Sequence, residues 1–345
     1  MRKPLLAALA GEAVWPPPLW LMRQAGRYLP EYREIRAQAG DFIALCTTPA
    51  LATEVTLQPL RRYGMDAAIL FSDILILPWA LGHGLRFEEG EGPVLPPLRD
   101  AATLAGLRPE RVTEAVAPVL ETVRRVRAEL DEAMGGTAAL IGFAGAPFTV
   151  ACYMVEGRGS KDFPAVRGMA YRDPALFGRL MELLTEATIV YLAAQIEAGA
   201  EAVMLFDSWA GLLPPSGFQT YVVQPTARIV AAIKARYPDV PVVGFPRLAG
   251  TMIGAYAAGT GVDTVGMDTA TDPDVARALV PPHMGLQGNL DPFALLQGGK
   301  VMESEARAIL DAMKGRPFVF NLGHGVMPPT PPEHVAALVD FVRRA

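Results

Sequence analysis

Two arginines, Arg23 and Arg27, stand four residues apart in the run Met22-Arg-Gln-Ala-Gly-Arg-Tyr28. On a helix this spacing puts both guanidiniums on one face, but Gly26 between them leaves a turn equally open. Guanidiniums held together suit a ligand with several carboxylates or phosphates, since each fork takes an oxyanion through two hydrogen bonds. Spacing alone is equally satisfied if both are surface or ion-paired residues. Asp73, in Phe71-Ser-Asp-Ile-Leu75, follows one apolar run and precedes another. A carboxylate in such surroundings is costly to leave unpaired. It is open to service as a structural partner for an arginine, as a general base, or as an acceptor for ligand N–H groups. His324 lies between Gly323 and Gly325, which let the backbone approach a ligand closely; a buried histidine fixed by backbone is the alternative. Tyr153, beside Cys152, and Ser208, in Phe206-Asp-Ser-Trp209, complete the set. A core tyrosine satisfied by one hydrogen bond explains Tyr153 as well, and Ser208 lacks the G-x-S-x-G context of a nucleophile elbow.

Other chemistries lack their residues. His83, His283, His324 and His334 form no H-x-H or H-E-x-x-H pair, so a metal-dependent hydrolase has little support. Cys46 and Cys152, the only cysteines, make neither a four-cysteine metal site nor a disulfide framework, and a cytoplasmic location is expected. Asp73, Asp207 and Asp268 remain open as a joint Mg²⁺ site. There are five lysines against 26 arginines. A GC-rich genome explains that bias. No lysine ends a predicted strand, which disfavours Schiff-base and pyridoxal phosphate enzymes.

The elements that must position these groups are regular. Eight short apolar runs, at 19–22, 67–71, 139–143, 202–206, 240–245, 264–267, 284–287 and 317–321, read as strands buried on both faces. Helical patterns lie between them, at 109–134, 174–198 and 220–237, with a last one at 332–344. Eight such units predict a (β/α)₈ TIM barrel, with an open doubly wound sheet as the rival. No G-x-G-x-x-G follows the first strand, which weakens the dinucleotide-binding form of that rival. Residues 84–95 read as a small β-hairpin insertion after the second strand. With no repeat or low-complexity linker, residues 1–345 are expected to form one domain. Barrels of this type gather their chemistry at the C-terminal strand ends. Those ends carry Arg23 to Tyr28, Ser72-Asp73, Ala144 to Phe148 with Tyr153, Asp207-Ser208-Trp209, Pro246-Arg247, Asp268, Asn289 and Gly323-His324-Gly325.

Composition agrees with a large folded core. The 345 residues are 51% hydrophobic and 19% charged, far from the profile of a disordered chain. The formal net charge of −5 argues against general nucleic-acid or anionic-membrane partners, which need a basic face. The apolar run near the N-terminus is too short for a secretory signal, and 67–82, the longest apolar stretch, is broken by Asp73 and Pro78 and falls short of a membrane span.

Two long segments carry a resemblance. Pro18-Leu-Trp-Leu-Met-Arg-Gln-Ala-Gly-Arg-Tyr-Leu-Pro-Glu-Tyr-Arg33 and Gly142-Phe-Ala-Gly-Ala-Pro-Phe-Thr-Val-Ala-Cys-Tyr-Met-Val-Glu-Gly157 resemble the two signatures of the uroporphyrinogen decarboxylase family. Phe71–Leu75, Phe206–Gly211 and Asn321–Gly325 are similar to further family segments, in the same order. The resemblance covers nearly the whole chain. It implies a (β/α)₈ barrel, a homodimer, and a cofactor-independent, metal-free enzyme. The implied reaction removes carbon dioxide from the four acetate side chains of uroporphyrinogen III to give coproporphyrinogen III, on the route to haem and related tetrapyrroles. It implies that Arg23 and Arg27 bind substrate carboxylates, with Gln24, Ala25 and Gly26 lining the same loop. It gives Asp73 the pyrrole N–H groups, makes Tyr153, Ser208 and His324 substrate contacts, and makes Phe143 and Phe206 apolar walls. The catalytic set is then Asp73, Arg23 and Arg27, with Arg23 favoured as proton donor. The sequence departs from the family pattern at Leu248, where a glycine is expected. The rival activity is a zinc- and corrinoid-dependent methyltransferase of the same superfamily; a catalytically silent tetrapyrrole-binding protein is the rival outside enzymology.

Overall fold

The computed structural model describes residues 2–88 and 90–345. Seven of the expected strands form one curled, wholly parallel sheet: β1 (Ala67–Ile69), β4 (Ala139–Gly145), β5 (Ala202–Asp207), β6 (Val242–Pro246), β7 (Thr264–Gly266), β8 (Gly285–Leu290) and β9 (Phe318–Leu322). They pair in that order, each with the next strand in the sheet. β4, β6, β7, β8 and β9 are buried along their whole length, because helices cover the outer face and side chains fill the inside. The remaining two strands, β2 (Arg86–Glu88) and β3 (Gly92–Val94), pair antiparallel with each other. Residue 89, between them in sequence, lies outside the described residues.

The expected first strand is a correction. Residues 19–22 form no strand; Leu19 makes a single parallel bridge to Phe320 of β9. The Trp20 amide donates to the Phe320 carbonyl at 3.4 Å, and the Phe320 amide to the Pro18 carbonyl at 2.9 Å. On the other side, Asp66 exchanges two bonds with Leu19. Its amide donates to the Leu19 carbonyl at 2.9 Å, and its carboxylate accepts the Leu19 amide at 2.8 Å. Pro16, Pro17 and Pro18 have no N–H to extend a ladder. The segment therefore spans from β9 to β1 through a few bonds, one of them to a side chain.

Helix boundaries also move at prolines. The pattern at 109–134 breaks into a 3₁₀ turn, Pro109–Arg111, and two helices, Val112–Ala115 and Ala117–Glu132, because Pro118 cannot donate inside a continuous helix. Pro225 likewise ends a π-helical turn, Gln219–Val223, before Gln224–Arg236. Pro174–Glu197 runs as expected until Gly199, whose φ of 121° few other residues adopt. The helix Pro4–Leu9 lies at the N-terminal ends of the strands. There Lys3 Nζ reaches Glu201 and the Ala138 carbonyl, each at 2.8 Å.

Candidate active site

The first functional loop follows the Leu19 bridge. Residues 22–29 make turns rather than a helix, so Arg23 and Arg27 sit on a loop and not on one helical face. The loop is tied from below. Gln24, fully buried, accepts the Leu21 amide at 3.1 Å and donates to the Ala67 carbonyl at 3.0 Å. The Met22 amide donates to Asn321 Oδ1 at 2.9 Å, and the Val326 amide to the Met22 carbonyl at 2.8 Å. Arg23 is held in the left-handed region, φ 60°. Its side chain lies across Gly325, where a Cβ would collide with Arg23 Cδ. The absent side chain at Gly325 thus makes room for a guanidinium. A Cβ at Gly323 would meet the Thr269 amide instead. Ala25 and Gly26 are half-buried, and Arg27 is exposed.

Asp73 lies four residues beyond the end of β1. Its Oδ1 accepts the Leu75 amide at 2.8 Å, which fixes the carboxylate. Burial raises its pKa, opposed by that amide and by the charge of Arg23. Asp73 in turn contributes to raising the pKa of Tyr153, after burial, the larger cause. Tyr153 sits on the helix Pro147–Glu156. Its ring centre is 5.6 Å from that of Phe163 and 6.5 Å from that of Trp209. Phe143 on β4 meets Phe206 on β5 edge-to-face at 5.4 Å, and Phe206 meets Phe245 on β6 at 6.1 Å. These three rings form one apolar wall.

His324 follows β9 by two residues. Burial, then the charges of Arg23 and Arg247, push its pKa down to about 4, so the imidazole is neutral near pH 7. Ser208 is half-buried, and its carbonyl lies 3.5 Å from Arg247 Nη1. Below it, Thr149 donates its hydroxyl to Asp207 Oδ1 at 2.6 Å and accepts the Trp209 amide at 3.0 Å. This chain of bonds holds the 207–209 turn in place.

Asp268 and Asn289 are structural members of the same rim. Asp268 accepts the Leu248 amide, the Ala270 amide at 2.9 Å and the Thr271 hydroxyl at 3.0 Å. Asn289 donates to the Asp268 and Thr271 carbonyls at 2.8 and 2.7 Å. The Mg²⁺ option is corrected here. Among the described residues no three His, Cys, Asp or Glu side chains gather to hold a metal, because Asp207 and Asp268 each turn to local donors. Leu248, where a glycine was expected, has φ 65°. Its carbonyl packs so tightly on Gly211 that a Cβ there would overlap it. Sequence reasoning assigns no role to Thr149, Trp209 or Arg247. Trp209 and Arg247 carried one signal, their place just after β5 and β6.

The mouth of the sheet thus joins exposed or half-buried guanidiniums, a fixed carboxylate, a neutral imidazole and aromatic walls. None of the ion pairs among the described residues includes Arg23, Arg27 or Arg247. Such a site suits an anionic ligand.

A family model described as Uroporphyrinogen decarboxylase (URO-D) matches residues 1–345. A curated uroporphyrinogen decarboxylase of Gluconacetobacter diazotrophicus is 64% identical over 347 residues, covering 99% of this chain and 98% of its own. That of Granulibacter bethesdensis is 61% identical over 343 residues, covering 99% of each chain. Among solved structures, a methyltransferase from Methanosarcina mazei superposes with a TM-score of 0.77 at 22% identity, covering 99% of this chain and 97% of its own. That last likeness is one of fold.

Proposed function

The chain belongs to the uroporphyrinogen decarboxylase family, and from that premise we propose that its site removes the four acetate carboxyls of uroporphyrinogen III to leave methyl groups. The product is coproporphyrinogen III, and the enzyme is a carboxy-lyase of tetrapyrrole biosynthesis. The observation that carries the reading at residue level is the charge of Arg23, an arginine in no ion pair among the described residues, reaching the buried Asp73 carboxylate.

Loss of carbon dioxide leaves an electron pair on carbon. Here the substrate is its own sink. A pyrrole protonated on carbon becomes an iminium-like cation that takes up the pair as the C–C bond breaks. Protonation of the exocyclic carbon then gives the methyl group, and loss of the proton first added to the ring carbon restores the pyrrole. Asp73 accepts the pyrrole N–H groups and stabilises the spreading positive charge. Charge-assisted bonds of this kind contribute roughly 1.5–3 kcal/mol each. Arg23 and Arg27 hold peripheral carboxylates, with Gln24, Ala25 and Gly26 shaping the loop. Tyr153, Ser208 and His324 complete the contacts. Phe143 and Phe206 line the reacting acetate with apolar surface, which disfavours a localised anion there. Arg23 is the favoured proton donor, acting through a water or a substrate carboxyl, because its own pKa in water lies above ~12.

In this reading residues 1–345 are one barrel-like α/β domain in which the Leu19 bridge, not a strand, links β9 towards β1, with the β2–β3 hairpin an insertion. The enzyme works as a cytoplasmic homodimer without cofactor, nucleic acid or membrane; among the described residues no helix is long and apolar enough to cross a bilayer. The methyltransferase alternative needs a thiol-rich zinc site, and Cys46 and Cys152 are both buried, in no metal-binding cluster among the described residues. The test is incubation with uroporphyrinogen III and chromatographic counting of carboxyls. Stepwise loss to the tetracarboxylate is expected; no loss overturns the reading. Asp73→Asn should keep the fold and some binding while losing most turnover, and full turnover would refute the charge-stabilising role. Arg23→Ala should lose more kcat than binding; weakened binding alone would make Arg23 a clamp.

A further inference from the structure

Arg247 sits among the members of the site without an assigned part. It follows the last residue of β6, Pro246, which pairs in register with Asp207, and its amide donates to the Asp207 carbonyl at 3.0 Å. That backbone tie sets the half-buried guanidinium 5.9 Å from the centre of the Trp209 ring and 3.5 Å from the Ser208 carbonyl. The planar fork of an arginine against an aromatic ring is oriented as well as attracted. The carboxylate whose charge reaches Arg247, Asp268, spends its oxygens on two backbone amides and the Thr271 hydroxyl. The charge of Arg23 also reaches Arg247 and, together with burial, lowers its pKa. Both guanidiniums press on His324. These two cations repel each other, and neither is in an ion pair among the described residues.

We propose that Arg247 is a further anion-binding residue of this site, taking a peripheral carboxylate of the ligand against Trp209 and beside Ser208. The proposal rests on the tetrapyrrole reading above. Acetate and propionate arms share the chemistry that Arg247 recognises, and the substrate and product differ in which arms they carry.

The test compares Arg247→Gln and Arg247→Lys with the wild-type chain. Two quantities are read: KM and kcat for uroporphyrinogen III, and equilibrium binding of coproporphyrinogen III, kept reduced, by quenching of tryptophan fluorescence. Arg247→Gln should raise KM by on the order of tenfold or more, with kcat within about threefold, as the loss of a charge-assisted contact requires. Arg247→Lys should recover part of the loss, and the difference should shrink as salt rises. Arg179→Gln, an exposed arginine on Pro174–Glu197, controls for generic loss of charge and should match wild type. Weakened product binding assigns the contact to a propionate; an effect confined to uroporphyrinogen assigns it to an acetate. Wild-type KM and product affinity in Arg247→Gln would overturn the proposal. So would a joint collapse of kcat and Tm in both variants, which would make Arg247 a prop for the Trp209 turn. A wild-type chain that neither binds nor decarboxylates these compounds overturns the tetrapyrrole reading itself, and is recognised because the unmutated control is then silent.

Discussion

Replacing Asp207 by asparagine should change how stability depends on pH. The side chain is 1% exposed. Oδ1 accepts the Thr149 hydroxyl at 2.6 Å, and Oδ2 has no partner among the described residues. Burial outweighs the Thr149 bonds and pushes the carboxyl pKa from 3.8 up to about 7. The folded chain therefore holds this proton more tightly than the unfolded chain does. The resulting stability is fully present below the unfolded pKa and is lost as pH rises through about 7. A shift of that size, at about 1.4 kcal/mol per unit, amounts to ~4 kcal/mol in all, of which about 2.5 kcal/mol falls between pH 5 and 8. Asp207→Asn keeps the shape and the acceptor for Thr149 but cannot ionise. Urea denaturation of both chains at half-unit intervals from pH 5 to 8 isolates this group, because every other titration is common to the pair. Wild-type stability minus variant stability should fall by roughly 2.5 kcal/mol across that range. A flat difference would refute the reasoning. A rising one would mean that the carboxylate is ionised and better solvated than its surroundings indicate.

Three further outcomes follow from the same geometry. Gly325→Ala should displace Arg23, whose Cδ occupies the space of the new methyl group. It should lower kcat/KM for uroporphyrinogen III by tenfold or more, a value on the order of what misplacing one charged contact costs; unchanged kinetics would show that Arg23 does not need that position. Leu248→Gly removes a branched side chain from φ 65° and should raise stability in urea melts by about 1 kcal/mol, with a loss counting against strain at this turn. Asp66→Ala leaves the Leu19 amide without its carboxylate acceptor and should cost about 1–3 kcal/mol in the same assay, with turnover falling as well. A silent Asp66→Ala would mean that water replaces the carboxylate there.

The parallel strands were legible because each is a short apolar run between helical patterns, and the candidate site residues stood out because they end those runs. Residues 19–22 misled because Leu, Trp and Met have a strand's apolarity, whereas pairing depends on donors that the prolines before them lack. Pro118 and Pro225 divided helices whose apolar spacing is continuous through them. The glycine expected at 248 marked a real backbone demand: the turn is left-handed there although leucine fills it. Arg247 was seen at a strand end but not understood. What distinguishes it from an ordinary surface arginine is Trp209 beside it, Asp268 engaged elsewhere and Arg23 nearby, and none of these is adjacent to it in sequence.

The seam at Leu19 has a consequence for the chain during its synthesis. Met22 and Asn321, whose bond positions the Arg23 loop, are 299 positions apart. A ribosome makes Arg23, Asp73, Tyr153 and Ser208 long before it makes β9, yet Met22, beside Arg23, lacks its Asn321 and Val326 partners until β9 and the residues after it emerge. Chains of this kind fold while still being made, and a nascent chain with most of its helices in place would still offer no binding mouth. The Arg23 loop thus reaches its final position only once β9 has been made.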